Sequence, residues 1–123
     1  MGDPVYRDYD ADGVERQYNP RVTVENVTRY FDEWPVRSDD FTSRVNCKLD
    51  VPYGERAEET LDLFLPERDG APVHVFIHGG YWRAMDKRFY NFALEPLVAA
   101  GALVASINYT LCPAVTLDEI VDQ

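Results

Sequence analysis

Apolar and polar positions alternate over short stretches in the second half of the chain, and this pattern predicts strands. Val45 to Val51 and Thr60 to Pro66 are two such stretches, and each ends in residues that favour a turn. A third, Val73 to Ile77, is an apolar run that leads directly into two glycines. Ala102 to Asn108 is almost continuously apolar, as in a strand that is covered on both faces.

Residues 88–100, between the third and fourth predicted strands, carry apolar side chains at helical spacing. Pro96 interrupts this pattern and predicts a kink or two short helices, with Gly101 as the stop. Strand, helix and strand from Val73 to Asn108 form one βαβ unit, which calls for a parallel pair in an α/β sheet. Thr116 and Glu119 have the spacing of a capping box, so a last helix is expected from there to Val121.

Residues 1–48 have weak periodicity and are rich in Asp, Arg, Tyr and Asn. They predict an irregular N-terminal arm with one short helix from Val24 to Trp34, since Trp34-Pro35 favours extended backbone. Aromatic side chains of the arm would be costly to leave in water, namely Tyr6, Tyr9, Tyr18, Tyr30, Phe31 and Trp34. We therefore expect it to pack on a body formed by residues 49–123.

With 123 residues, 46% of them hydrophobic, the chain is long enough for one domain or part of one. Its net charge of −10 disfavours nucleic acid and anionic membranes as partners. The N-terminus does not show a basic segment followed by an apolar one, so no secretory leader is expected. No apolar run approaches the ~20 residues that span a bilayer. Both observations favour a cytoplasmic location. Cys47 and Cys112 are expected as free thiols, and neither a metal nor a cofactor is expected.

The run from His78 to Trp82 reads HGGYW and follows the third predicted strand. Two successive glycines allow backbone torsions closed to other residues and let the chain approach a substrate oxygen closely. In an acyl-transfer hydrolase, such a turn supplies backbone N–H groups to the oxyanion of the intermediate. The predicted donors are the N–H groups of Gly80 and Tyr81. The alternative is a tight turn whose glycines serve geometry only.

The side chains of this motif have alternative roles. His78 as a general base would need an activated Ser or Cys within hydrogen-bond reach, and the sequence offers none, which favours His78 as a residue that shapes the turn. His74 shares its strand face, but no third metal ligand is present. Tyr81 and Trp82 would either line an acyl or aromatic pocket or, for Trp82 in particular, pack over the N-terminal arm.

No other residue completes a catalytic set in the sequence. None of Ser38, Ser43 and Ser106 lies in the Gly-x-Ser-x-Gly context of a nucleophile elbow. The aspartates show no paired-carboxylate spacing and are expected as surface charges, turn residues or caps: Asp62, Asp86 and Asp118.

Four segments together resemble a known family. They are DVPYG at 50–54, ETLDLFLP at 59–66, IHGGYW at 77–82 and INYTLCP at 107–113. In this order they are similar to the N-terminal half of arylformamidases, also called kynurenine formamidases, which are α/β-hydrolases near the hormone-sensitive-lipase-like esterases. The resemblance implies the N-terminal portion of that fold, with strands followed by the βαβ unit of a mainly parallel sheet.

The resemblance also implies hydrolysis of an N-formyl aromatic amide, such as N-formylkynurenine in tryptophan breakdown, by a Ser-Asp/Glu-His triad. Only the oxyanion turn carries over, onto Gly80 and Tyr81, with His78, Gly79 and Trp82 completing the motif. Family members have the nucleophile elbow, acid and base after the position of Gln123, so these 123 residues alone are expected to be inactive.

Two other functions stay open, namely a carboxylesterase of the hormone-sensitive-lipase-like group and a non-catalytic module that binds a ligand or completes another chain. The expected partners are a small acyl substrate, either an aromatic formamide or a short ester, and either a second copy or a complementing C-terminal part that covers the open sheet edge.

Overall fold

The computed structural model describes residues 2–123. Two compact units can be distinguished, one that reaches to Glu33 and one from Trp34 to Gln123. The first unit contains the helices α1 (Ala11–Tyr18) and α2 (Pro20–Thr23) and the beginning of α3 (Val27–Arg44). Packing of the N-terminal arm on the body stays a prediction.

Helices α1 and α2 follow each other with a single residue between them. Asp10 caps α1, since its carboxylate accepts from the N–H of Gly13 at 2.8 Å. Asn19 ends α1 and caps α2 through the N–H of Arg21 at 3.0 Å, with Pro20 in the first helical turn. The expectation of irregular structure before residue 48 is therefore wrong.

Helix α3 starts three residues later than the predicted helix and continues ten residues past Trp34. Pro35 lies inside it, where a proline removes one helical hydrogen bond. The helix continues nevertheless because its second half buries Phe41, which is 1% exposed and whose ring lies 5.2 Å from that of Phe64. Burial of the aromatic ring offsets the local preference of the Trp-Pro pair.

The second unit is built on one four-stranded sheet in the order β1-β2-β4-β3. Its strands are β1 (Cys47–Pro52), β2 (Thr60–Phe64), β3 (Val73–Ile77) and β4 (Leu103–Ile107). β2 pairs antiparallel with β1 and β4, whereas β3 pairs parallel with β4, in register from Val73 opposite Leu103 to Ile77 opposite Ile107. The predicted βαβ unit and its parallel pair are confirmed.

The connection from β3 to β4 is broken into short pieces, as Pro96 predicted. Two 3₁₀ segments, Lys87–Phe89 and Asn91–Leu94, precede α4 (Glu95–Ala99). Gly101 follows with φ +87°, a left-handed conformation that ends the helix. The last helix, α5 (Leu117–Asp122), begins with the predicted capping box between Thr116 and Glu119.

The core lies where the part of α3 from Trp34 onward and the β3–β4 connection cover one face of the sheet. The buried apolar residues that form it are Phe41, Phe64, Leu94, Ala102 and Val104. Cys47 and Cys112 are both free thiols. Within residues 2–123, no helix has the length and apolar character required to cross a membrane.

Candidate functional site

The HGGYW turn follows the carboxyl end of β3 and so lies at the edge where open α/β sheets bind their ligands. β3 is the outer strand of the described sheet, and β4 is its neighbour. Within the described residues, the turn therefore lies at the end of the outermost strand.

The backbone of the turn adopts left-handed torsions at three successive residues. Gly80 has φ +129°, Tyr81 has φ +56° and Trp82 has φ +59°. The carbonyl oxygen of Gly80 accepts from the N–H groups of Arg83 and Ala84, both at 3.1 Å. A Cβ on Gly80 would lie 1.9 Å from the carbonyl oxygen of Ala84, so only glycine fits there without a backbone shift. Such torsions in non-glycine residues concentrate at functional sites.

His78 is buried beneath the turn at 3% exposure. Its ring is stacked on the ring of Tyr109, with centroids 4.3 Å apart and planes 8° apart, and lies 6.0 Å from the ring of Tyr90 on a 19° tilt. Nδ1 lies 2.7 Å from the carbonyl oxygen of Gly79, and the hydroxyl of Tyr109 donates to the carbonyl oxygen of His78 at 2.9 Å. Side chain and main chain of His78 are thus both held in place.

The bond from His78 to Gly79 fixes the direction of one N–H group. The carbonyl of Gly79 and the N–H of Gly80 belong to the same planar, trans peptide and point in opposite directions. Because His78 holds the carbonyl from below, the N–H of Gly80 points away from the His78 ring. Among residues 2–123, neither the Gly80 N–H nor the Tyr81 N–H donates a hydrogen bond to another residue. The N–H of Trp82 has no acceptor among these residues either, so the turn has successive unpaired donors, those of Gly80 and Tyr81 among them.

Burial lowers the pKa of His78 below its ordinary value, although the Gly79 carbonyl, the Asp86 charge and the Asn108 side chain oppose the shift. A carbonyl oxygen can only accept, so Nδ1 carries the proton of the neutral ring. Nε2 is buried and has no hydrogen-bond partner among the described residues. His78 thus orients the turn, and neither of its ring nitrogens has a nucleophilic side chain as a hydrogen-bond partner among the described residues.

The two aromatic residues of the motif lie on the surface of the turn. Tyr81 is 73% exposed and Trp82 is 48% exposed, and their ring centroids are 5.5 Å apart. The carbonyl oxygen of Trp82 accepts from the N–H of Cys112 at 2.8 Å, which ties the turn to the segment after β4. An aromatic surface therefore borders the free N–H groups of Gly80 and Tyr81.

Two of the three serines form hydrogen bonds elsewhere, and the third is buried in β4. Ser38 is buried and accepts from the N–H of Phe92 at 3.1 Å, and Ser43 donates to the carbonyl of Asp40 at 2.7 Å. Ser106 is fully buried in β4, and its hydroxyl has no partner within residues 2–123. In this described range no serine forms a hydrogen bond with a histidine, and no group of three or more His, Cys, Asp or Glu residues is arranged to hold a metal ion.

Asp62 differs from the prediction of a surface charge, turn residue or cap, because it is buried at 3% exposure. Lys87, itself 8% exposed, donates to Asp62 at 3.0 Å and to Asp50 at 2.5 Å. Burial alone would lower the pKa of Lys87, but the bonds to both carboxylates raise it overall. Asp86 does cap a 3₁₀ segment, through the N–H of Arg88. No sequence pattern pairs Asp62 with a lysine 25 positions further on, and only the fold brings them together.

Proteins of other organisms are similar to this chain in sequence. A kynurenine formamidase of Danio rerio is 31% identical over 126 residues, which cover 96% of this chain and 43% of that protein. A kynurenine formamidase of Drosophila melanogaster is 42% identical over 87 residues, or 68% of this chain and 29% of that protein. The chain thus spans less than half the length of these relatives. No family model matches.

Solved structures share the fold over a similar part of their length. A Silicibacter protein described as a candidate thioesterase superposes with a TM-score of 0.78 at 35% identity, over 85% of this chain and 41% of that protein. Esterase B of Lactobacillus rhamnosis superposes with a TM-score of 0.58 at 20% identity and is similar in fold alone.

A mixed sheet with a parallel β3–β4 pair, shared with these proteins, makes the chain a partial α/β-hydrolase fold. Within that superfamily, its sequence belongs with the arylformamidase-like branch, since the kynurenine formamidases match it over most of its length.

Proposed function

We propose that this chain contributes the oxyanion-binding side of a hydrolase that cleaves the carbon–nitrogen bond of an N-formyl aromatic amide, of the kind represented by N-formylkynurenine. The observation that carries the proposal is the pair of unpartnered N–H groups at Gly80 and Tyr81, next to a carbonyl that His78 holds. The names of the relatives support the substrate class. The serine nucleophile, the acid and the base would be supplied by residues outside these 123.

The proposed chemistry needs donors of this kind. Attack of a serine oxygen on the formyl carbon gives a tetrahedral intermediate whose oxygen carries the negative charge. Two N–H groups that already point at this oxygen stabilise it without reorganisation, and losing one such donor typically costs about 10²–10³ in kcat. Because its lowered pKa keeps His78 neutral at pH 7, the imidazole brings no charge of its own to the oxyanion. Its contribution is to hold the carbonyl of Gly79.

The aromatic surface of the turn fits the aryl part of such a substrate. Tyr81 and Trp82 are exposed and adjacent, and aromatic rings stack with centroids about 4.5–7 Å apart. In the proposed function one of these rings stacks on the aryl group and leaves the formyl group over the free N–H groups. The reaction would then be a cytoplasmic step of tryptophan breakdown.

A carboxylesterase is the second candidate. Proteins named as isoprenylcysteine methylesterases are among the relatives, one of them 37% identical over 85 residues. The oxyanion turn would act in the same way, and only the acyl and leaving-group contacts would differ. A non-catalytic module that binds a ligand or completes another chain is the third, because no described serine forms a hydrogen bond with a histidine.

The first experiment separates these three functions. The protein as it is encoded is incubated with a fluorophosphonate, and its intact mass is measured. Turnover of a formyl-aryl amide is then compared with that of short p-nitrophenyl esters. One adduct with preference for the formamide supports the proposal, whereas one adduct with preference for esters favours the carboxylesterase. No adduct and no turnover would overturn the hydrolytic function and favour the module.

The second experiment tests the Gly80 donor itself. Replacing the Gly80 peptide N–H by an ester oxygen removes the donor and adds no Cβ. We expect kcat for the formamide to fall about 10²–10³-fold. The matched control is the same replacement at Gly70, a loop glycine with no heavy atom within 4 Å of the position of a Cβ. Equal activity of the two ester variants would exclude the Gly80 N–H as an oxyanion donor.

A further inference from the structure

The carboxylate of Asp62 is the centre of a buried polar network in the middle of the sheet. Its Oδ1 accepts from the N–H of Asp50 at 2.9 Å and from Nζ of Lys87 at 3.0 Å. Its Oδ2 accepts from Nδ2 of Asn91 at 2.7 Å. Both oxygens are therefore occupied, as a buried carboxylate requires.

The two side-chain donors come from the connection that follows the HGGYW turn. Lys87 is the first residue of one 3₁₀ segment and Asn91 is the first residue of the next, and they are 8% and 2% exposed. A single carboxylate on β2 thus holds the start of both segments. Tyr90 lies between them and is fixed on both sides.

Tyr90 in turn supports the HGGYW turn from below. Its ring lies 6.0 Å from that of His78, and its hydroxyl donates to the sulfur of Met85 at 2.8 Å. A Cβ on Gly79 would be 3.5 Å from the Tyr90 hydroxyl, so this side chain lies directly against the Gly79 backbone. A displacement of Tyr90 would therefore displace His78 and the peptide that His78 orients.

A buried ion pair adds little net stability compared with apolar residues of the same size, and in some proteins its role is to fix geometry. We propose that Asp62 is a positioning residue: through Lys87 and Asn91 it sets where Tyr90 meets His78, and so the direction of the Gly80 N–H. This inference rests on the oxyanion role proposed for the turn. Asp62 itself touches no reacting atom.

The test compares Asp62→Asn, which keeps the size and removes the charge, with Asn91→Ala, which removes one of the tethers. The matched control is Asp39→Asn, because it breaks the exposed ion pair between Asp39 and Arg88. Arg88 lies in the same 3₁₀ segment as Lys87. The titration of the His78 ring is followed by NMR in the protein as encoded, along with urea unfolding and the kcat and KM for a formyl-aryl amide.

In both Asp62→Asn and Asn91→Ala, we expect the His78 pKa to rise toward its ordinary value, because burial is what lowers it. Removal of a negative charge would by itself lower a histidine pKa, so in Asp62→Asn the sign separates loosened packing from a direct charge effect. We expect kcat to fall on the order of 10²-fold with KM within about twofold, as for a misplaced catalytic group. Asp39→Asn should change neither quantity.

A His78 pKa that stays at its wild-type value in the folded variants would overturn the inference. If Asp62→Asn does not fold, Asn91→Ala alone decides. A raised His78 pKa with unchanged kcat would support the link from Asp62 to the turn but overturn the oxyanion role. The inference and the proposed function therefore fail by different results.

Discussion

Replacement of Gly80 by alanine tests the geometry of the turn most directly. The new Cβ would lie 1.9 Å from the Ala84 carbonyl oxygen, whereas a relaxed carbon–oxygen contact is about 3.3 Å. The backbone has to give way by about 1.4 Å in total. Alanine also has to adopt φ +129°, which L-residues rarely do.

The structure sets the size of both effects. Torsional strain of about 1–3 kcal/mol and overpacking of about 1–3 kcal/mol together predict a loss of about 2–6 kcal/mol in the free energy of unfolding. A shift of about 1 Å in a catalytic group costs on the order of 10²-fold in rate, so kcat/KM for the formamide should fall by at least that factor.

Urea unfolding and formamide hydrolysis by the protein as encoded measure the two effects. Gly70→Ala is the control, since Gly70 has φ +70° but no heavy atom within 4 Å of a Cβ. It should lose only the left-handed strain of about 1–2 kcal/mol and keep its activity. If Gly80→Ala matches Gly70→Ala in both measurements, the close contact with Ala84 does not determine the turn.

Two further predictions concern His78 and the core. Burial lowers the pKa of His78 below its ordinary 6.5, so the unfolded chain takes up this proton first as the pH falls. Below about pH 6.5, the free energy of unfolding should therefore decrease by up to about 1.4 kcal/mol per pH unit, until the pH reaches the pKa of His78 in the folded state. His78→Phe should remove this component in urea unfolding from about pH 5 to about pH 8, and identical pH profiles would contradict the shift. Phe64→Ala should lower the free energy of unfolding by about 3–5 kcal/mol, because Phe64 is 0% exposed. Leu49→Ala, at a half-exposed position, should lower it by well under half as much. Equal losses in the two variants would contradict the assignment of the core.

The sequence predicted the elements whose signals are local. The run from Val73 to Ile77, the interruption at Pro96 and the capping box at Thr116 each depend on residues close together in the chain, and each was found as expected. Helix α3 was not predicted at its full length, because the Trp34-Pro35 pair favours extended backbone and the burial of Phe41 against Phe64 is a long-range contact.

The site, too, has one part that is marked locally in the sequence and another part that depends on long-range contacts. The HGGYW motif marks the turn in the sequence, and the roles of Gly80 and Tyr81 stay a prediction. The residues beneath it were not predicted, since nothing in the pattern shows that Asp62 is buried or that Tyr90 and Tyr109 flank His78. Such contacts depend on the β2–β4 register and on the path of the β3–β4 connection.

The position of β3 in the sheet has a consequence for handling the protein. Within residues 2–123, this strand pairs on one side only, and Val73, Val75 and Ile77 are all more than half exposed. A short, β-branched strand with a free side is a template on which the same strand of another molecule can form hydrogen bonds. In a sample of these 123 residues alone, growth of fibrils or precipitates at high concentration would then begin at Val73–Ile77, and a charged residue at Val75 would delay it.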